Sequence, residues 1–345
     1  MKLFNFFTQE IAIDLGTANT LIIEDGKVVV DEPSIVAIDR QTREVIAVGL
    51  KAMQMHEKTH ENIKTIRPLR DGVIADFQAA ESMIEGMIKQ IGPRRKFFSH
   101  LKMVICIPSG ITEVEKRAVF DSADHVDSKE TYLIHEPMAA ALGIGLDVEE
   151  PVGNMVIDIG GGTTEIAVIA LSGIVTDQSI RTAGDEFTAD IMGYMKRQHN
   201  ILIGERTAEQ IKINVGSALH ELPPDQAPAD YAVNGRDLMT GIPKQIKVSY
   251  SEISHALDKS ISKVEDAILR ALENTPPELA SDIYKTGLYL TGGGALLRGL
   301  DKRIAAKTKL PVSIAEDPLR AVVRGTGIAL KNTDRFSFLI DRSSV

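Results

Sequence analysis

Val156-Ile157-Asp158-Ile159-Gly160-Gly161-Gly162-Thr163-Thr164-Glu165 is the stretch on which the reading of this chain turns. An apolar strand, Asn154 to Ile157, runs into an aspartate and three glycines, and a second strand, Ile166 to Leu171, leaves them. Ser172-Gly173 reads as the turn into a third strand, Ile174 to Ser179. The same order stands near the N-terminus. There the strand Glu10 to Asp14 ends in Asp14-Leu15-Gly16-Thr17-Ala18-Asn19-Thr20. Leu21 to Glu24 is the second strand, Asp25-Gly26 the hairpin turn and Lys27 to Val30 the third strand. One strand, glycine turn, strand unit is thus present twice. A third apolar strand, Gly287 to Leu290, ends in Thr291-Gly292-Gly293-Gly294, and Ala295 to Leu300 reads as the opening of a helix.

Glycine lets backbone N–H groups approach a phosphate with no Cβ in the way. Thr17 and Thr163 add hydroxyls to the two turns. Asp14 and Asp158 end the two strands, where a carboxylate can hold magnesium through its water shell. One such turn is weak support. Two copies in matching hairpins, with the third glycine turn beside them, point to one nucleotide phosphate site between two halves.

The remaining segments fit around that site. Ala79 to Ile91, Glu113 to Ala123 and Ser251 to Leu272 read as helices, and Lys102 to Ile107 as a buried strand ended by Pro108. Pro137 suits a first helical position, and Met138-Ala139-Ala140-Ala141-Leu142-Gly143 permits close helix packing. Glu136 would then stand at the mouth of the cleft, where a carboxylate can orient or deprotonate a water. His135 reads as structural. In Glu205-Arg206-Thr207-Ala208-Glu209-Gln210-Ile211-Lys212 a helix begins, with Thr207 and Gln210 as a capping box. Glu209, Lys212 and Gly216 share one of its faces. The loop His220 to Ala229 reads as exposed.

Composition narrows the classes. The chain has 345 residues, 43% apolar and 25% charged, with a net charge of −9. That is room for two cored lobes and is an ordinary globular balance. The acidic balance argues against a nucleic-acid coat, and no apolar run reaches the length of a membrane span. The single cysteine, Cys106, cannot form an internal disulfide, which suits a reducing cytosol. It reads as a small buried hydrophobe.

The ordered set of motifs resembles the actin-like ATPases, and within them the MreB family of bacterial actin homologues. Carrying the likeness are Ile13 to Thr20, Glu136 to Ala141, Val156 to Glu165, Glu205 to Glu209, Leu290 to Ala295 and Asp317-Pro318-Leu319-Arg320-Ala321-Val322-Val323-Arg324-Gly325. The resemblance implies a duplicated actin-like α/β fold of two lobes, each with an inserted subdomain. Its divisions would be a membrane-binding segment 1–9, a first half 10–145 with an insertion at about 31–75, a second half 146–335 with an insertion at about 182–255, and a tail 336–345. It implies ATP/ADP and Mg2+ as ligands and a slow ATP hydrolysis. Asp14, Gly16, Thr17, Ala18, Asn19 and Thr20 would form the first phosphate loop. Asp158, Gly160, Gly161, Gly162, Thr163 and Thr164 would form the second. Glu209 and Lys212 would stand at the ribose and adenine, with Glu205, Arg206, Thr207 and Ala208 also binding the nucleotide, and Gly292, Gly293, Gly294 and Ala295 would lie under the nucleoside. Glu136 and Thr163 would be the water-positioning pair. His135 stands where the family more often has an acid.

Two stretches suit a membrane surface. In Met1-Lys2-Leu3-Phe4-Asn5-Phe6-Phe7-Thr8-Gln9 the apolar residues share one side of a helical wheel. In Arg94-Arg95-Lys96-Phe97-Phe98 three cations flank two aromatics. The MreB resemblance implies homopolymer filaments attached peripherally, on the cytoplasmic side, to inner-membrane lipids through 1–9 and 94–98. It also implies membrane-bound cell-wall elongation proteins as partners and a role in rod shape. The alternatives are a division filament protein of the FtsA type, whose membrane helix is typically C-terminal, a small-molecule kinase and a chaperone ATPase. The last would need a peptide-binding domain beyond Val345.

Overall fold

The computed structural model describes residues 8–92, 100–126, 128–337 and 339–342. Most of 1–9, and all of 94–98, lie outside them. Thr8 and Gln9, read as the end of the amphipathic segment, belong instead to the first strand, Thr8–Leu15, where the Gln9 amide donates to Glu24 at 2.7 Å.

Two sheets carry the fold, and their strand orders match. The first runs Lys27–Pro33, Asn19–Glu24, Thr8–Leu15, His100–Ile107, Ser128–His135, Ile340–Arg342. The second runs Gly173–Ile180, Thr164–Ala170, Asn154–Ile159, Leu288–Thr291, Val312–Ile314. In each, an antiparallel meander of three strands is followed by two strands laid parallel to the first of them. The stretch 336–345, read as a tail, supplies an edge strand that pairs antiparallel with Ser128–His135.

The meander turns follow from handedness. Asp25 and Gly26 have φ of 52° and 77°, the two left-handed residues that a tight hairpin in a twisted sheet needs. In the second copy these residues are Leu171 and Ser172, at 50° and 63°, so the turn lies one residue earlier than Ser172-Gly173. Its backbone is held by Leu171 N–H to Glu150 O at 3.0 Å and Ser172 N–H to Val148 O at 2.6 Å.

Alternation along the strands places the chemistry. Ile11, Ile13 and Leu15 face the first half's own core, while Ala12 faces the boundary between the halves. Met155, Ile157 and Ile159 face the second half's core, and Val156 faces the boundary. With a period of two, Asp14 and Asp158 must also face the boundary. Two helices fill it. Glu136–Gly143 leaves the first sheet and packs on Asn154–Ile159 and Thr164–Ala170 of the second. Ala321–Lys331 leaves the second sheet and packs on Thr8–Leu15, His100–Ile107 and Asn19–Glu24 of the first. Each half is thus covered by the other half's helix.

The insertions form small sheets. Val45–Val48, Val36–Asp39 and Ile63–Ile66 make one, with helix Leu50–Met55 against it. Ile201–Leu202, Tyr231–Asp237 and Pro243–Val248 make the other. The long helix Tyr250–Glu273 begins in a reciprocal cap between Ser249 and Glu252. It buries Ile253, Leu257, Ile261, Val264 and Ile268, three or four residues apart, against the second half's core. The third glycine turn differs from its reading. A short 3₁₀ turn, Gly293–Leu296, comes first, and the helix opens only at Leu300.

Candidate functional site

The two glycine turns meet face to face. A Cβ on Gly161 would stand 2.7 Å from Ala18 Cβ, and one on Gly162 would stand 2.7 Å from the Thr17 hydroxyl oxygen. Only glycine permits that approach. The first turn is braced from behind: Ser34 Oγ donates to Gly16 O at 2.6 Å and shares a 2.9 Å bond with Thr20. The second is braced by Gly160 N–H to Thr163 O at 2.9 Å and by Thr164 Oγ1 to Thr182 O at 2.7 Å. Helix Gly184–His199 starts directly behind it, with Gly184 N–H to Gly160 O at 3.1 Å and Asp185 N–H to Gly161 O at 2.8 Å.

A second hairpin seals the meeting point. Asp71 and Gly72, with φ of 53° and 80°, turn the chain between Leu69–Arg70 and Val73–Ile74. Gly72 N–H donates to Thr17 Oγ1 at 2.9 Å, and Thr163 Cγ2 lies 2.9 Å from where a Gly72 Cβ would be. The pair lies within the stretch 31–75 expected as an insertion, although Asp-Gly is a hairpin signal.

Four carboxylates converge behind the turns. Asp14 is part-buried, and Asp158, Glu136 and Glu165 are buried. Loss of water pushes the Asp14 carboxyl up to about 6, against a thiol hydrogen bond from Cys106. Burial pushes Asp158 up to about 7, against a hydrogen bond from Thr291 and with Asp14 adding to the rise. Glu136 is held well above the usual carboxylate range by burial, then by the charges of Glu165, Asp158 and Asp14. Burial raises Glu165 as well, but less. It accepts from Ser179 Oγ at 2.6 Å and from Ser109 N–H at 3.1 Å, and both favour its charge. The resemblance places Glu165 at the end of the second phosphate loop. Buried at 1% exposure, it ties the second half to the loop after Pro108 of the first.

All the charges that bear on Glu136 are negative. Such a cluster suits a cation brought with its own water. Among the described residues no three His, Cys, Asp or Glu side chains stand close enough to cage an ion directly.

The helix expected to reach a nucleoside runs Glu205–Val215, and its cap differs from the reading. Thr207 and Gln210 form no capping box, because the helix has already begun and Gly204 is its N-cap. The first N–H, of Glu205, is taken by the Glu57 carboxylate at 3.1 and 3.2 Å. Glu205 itself pairs with Arg67 and lies 3.2 Å from His56 Nε2. Arg206 is exposed. Glu209 accepts from Thr188 at 2.8 Å and pairs with Lys212 at 2.7 Å, and Lys212 also donates to Gly184 O at 2.8 Å. A Cβ on Gly184 would lie 3.6 Å from Gly161 Cα, so Lys212 attaches to the backbone directly behind the second turn, and Glu209 joins it through Lys212 and Thr188. The third turn joins the same place. A Cβ on Gly292 would meet Ile159 O at 2.4 Å and Asp158 Oδ1 at 2.6 Å, and Ala295 is fully buried.

His135 is half-buried at the strand-to-helix junction beside Glu136, and its Nδ1 has no hydrogen-bond partner among the described residues. It lines a cavity of about 260 Å³ with Ser109, Met138, Ile174, Asp177 and Leu339.

Two matching sheets, exchanged covering helices and paired glycine turns define an actin-like protein. The chain belongs to the MreB/Mbl family, which it matches over residues 8–337. It is similar to the cell shape-determining protein Mbl of Bacillus subtilis, 46% identical over 330 residues, covering 95% of this chain and 98% of that one. It is similar to the cell shape-determining protein MreB of Escherichia coli K12, 47% identical over 339 residues, covering 96% of each. The crystal structure of MreB 5 of Spiroplasma citri bound to AMPPNP matches with a TM-score of 0.88 at 39% identity, over 95% of this chain and 97% of that one. The same protein bound to ADP matches with a TM-score of 0.89. A MamK double helical filament, at 20% identity and a TM-score of 0.78, shares the fold. These comparisons favour the MreB reading over the FtsA-type one.

Proposed function

We propose that this chain binds ATP with Mg2+ between its halves and assembles into membrane-attached, actin-like filaments that direct wall synthesis and rod shape. The observation that carries the nucleotide reading is the meeting of the turns at Gly16–Ala18 and Gly160–Gly162, with Asp14 and Asp158 directly behind them. Backbone N–H groups of both turns would hold phosphate oxygens, joined by the Thr17 and Thr163 hydroxyls. Asp14 and Asp158 would hold the waters of Mg2+, which neutralises phosphate charge when bound. Glu209 and Lys212 would border the ribose and adenine, and Gly292 to Ala295 would support them. Glu136, with Thr163, would position the attacking water. Positive charge beside it would offset its acidic neighbours and favour the ionised carboxylate, the form that can accept a proton. The AMPPNP and ADP carried by the Spiroplasma citri protein support this reading.

The names of the Bacillus and Escherichia relatives support the role in cell shape, and the filament of MamK supports self-association. No helix among the described residues is long and apolar enough to cross a membrane. Attachment would rest on 1–9 and 94–98, at roughly 1.5–3 kcal/mol for each buried Phe or Leu. Ordering and association costs offset most of this for a single copy. An array of copies gains through effective concentration. Electron microscopy of the purified chain with Mg-ATP on anionic lipid tests polymer and membrane together. Filaments lying on the lipid are expected, and their absence with bound nucleotide would overturn the assembly reading.

A further inference from the structure

The two boundary-facing aspartates are held by one device. Asp14 lies across from Cys106 on the neighbouring parallel strand, and Cys106 Sγ donates to Asp14 Oδ1 at 3.2 Å. Asp158 lies across from Thr291 on its neighbouring parallel strand, and Thr291 Oγ1 donates to Asp158 Oδ1 at 2.9 Å. Thr291 ends its strand and Cys106 stands one residue before the end of its own; both lie on the same sheet face as the aspartates, because paired residues in a ladder point to the same side. Thr291 is fully buried and Cys106 is 3% exposed. A buried hydroxyl needs a partner, and Thr291 takes it from Asp158. The Gly292 turn closes on the same oxygen, with room for no Cβ beside Asp158 Oδ1.

We propose that Cys106 and Thr291 are a matched pair of positioning residues, each fixing one oxygen of an aspartate so that the other oxygen meets the hydrated cation. The terminal torsion of an aspartate is otherwise broad. A donor on Oδ1 removes that freedom and leaves Oδ2 to the ligand. The pair is unequal, since a thiol is a weaker donor than a hydroxyl. The Asp158 side is therefore the more firmly set. Cys106, read from sequence as apolar filler, acquires a polar duty that the parallel register assigns. The inference rests on the magnesium–nucleotide reading above.

The test is nucleotide binding by the full chain, titrated with Mg2+ and repeated in EDTA. Thr291→Val keeps the volume and removes the donor. It should raise the Mg2+ concentration for half-saturation about tenfold, the scale of one hydrogen bond to a charged group. Cys106→Ala should raise it by a smaller factor. Thr291→Ser keeps the donor and should stay with wild type, and Cys106→Ser, which puts a stronger donor in its place, should need no more Mg2+ than wild type. Affinity in EDTA should be unchanged in all four. Alanine and serine at 106 shifting alike, or valine and serine at 291 shifting alike, would overturn the pairing. So would an equal loss in EDTA, which marks a packing role. Should Thr291→Val fail to fold, the two Cys106 variants decide. Wild type binding nucleotide without regard to Mg2+ would overturn the underlying reading, and this one with it.

Discussion

Gly143 and Gly325 stand across from one another with no room for a side chain on either. A Cβ built on Gly143 would lie 2.9 Å from Gly325 N, and one on Gly325 would lie 2.9 Å from Gly143 N. The same atoms would fall 1.8 Å from Ala321 O and 1.7 Å from Ala139 O. The two exchanged helices therefore cross backbone against backbone, and that crossing fixes how far apart the two sheets sit.

Alanine at either glycine forces the helices apart, since carbonyl oxygens cannot yield as a flexible side chain would. Gly325→Ala should cost about 3 kcal/mol, the upper range of core overpacking. Gly173→Ala is the control, because its Cβ would meet only Ala170 O at an ordinary 3.7 Å. Urea unfolding of both variants checks this. A Gly325→Ala midpoint equal to that of Gly173→Ala would show that the crossing adjusts freely.

The acidic cluster predicts a pH dependence. Burial raises Asp14 to about 6 and Asp158 to about 7 from 3.8, so the folded chain binds these protons more tightly than the unfolded one. Their contribution to stability is complete below 3.8 and is lost as pH rises through about 6 and 7. Cation-free protein should melt at a lower temperature as pH climbs through that window, and Asp158→Asn should flatten the fall. Asp158→Ala should also weaken Mg-ATP far more than metal-free nucleotide. Equal loss of both in a titration would leave Asp158 with a role in folding alone.

Hydrolysis separates Glu136 from its neighbours. Glu136→Gln keeps the shape of the protonated carboxyl, so it should spare ATP affinity and raise cation-free stability at neutral pH. It should slow phosphate release about 10²-fold, the usual scale of a positioned base. Thr163→Ala should share the slower turnover without the gain in stability. Single-turnover phosphate release checks both, and an unchanged rate in either variant removes that residue from the water-positioning pair.

The sequence carried what depends on near neighbours. Strand alternation and glycine turns are legible because each is set by near neighbours, and the duplication because the same local pattern stands twice. What escaped depends on distant contacts. Gly204 is the N-cap of its helix and Glu57, from the other half, takes the first N–H, whereas the local pattern points to Thr207 and Gln210. Ile340–Arg342 becomes a strand only because Ser128–His135 offers an open edge. Cys106 looked apolar among its neighbours Ile105 and Ile107, and only the register of two parallel strands sets it on Asp14. Glu165 gains its place from Ser109 in the opposite half.

The last prediction concerns the membrane. Aromatics cluster with cations at two places, Lys2 to Phe7 and Arg94 to Phe98, in a chain of net charge −9. Deleting residues 1–7 spares the strand Thr8–Leu15, so nucleotide binding should persist while co-sedimentation with anionic liposomes falls. Phe97 and Phe98 changed together to Ser should lower it too, and the two losses should compound. Higher salt should weaken the contribution of Arg94, Arg95 and Lys96 and spare the apolar part of the first segment. Avidity gives a sharper form of the test. A chain kept below its assembly concentration should bind liposomes poorly with both segments present, since only an array supplies the gain. If such monomer sediments with lipid as fully as filaments do, single copies anchor themselves, and assembly and attachment are independent events.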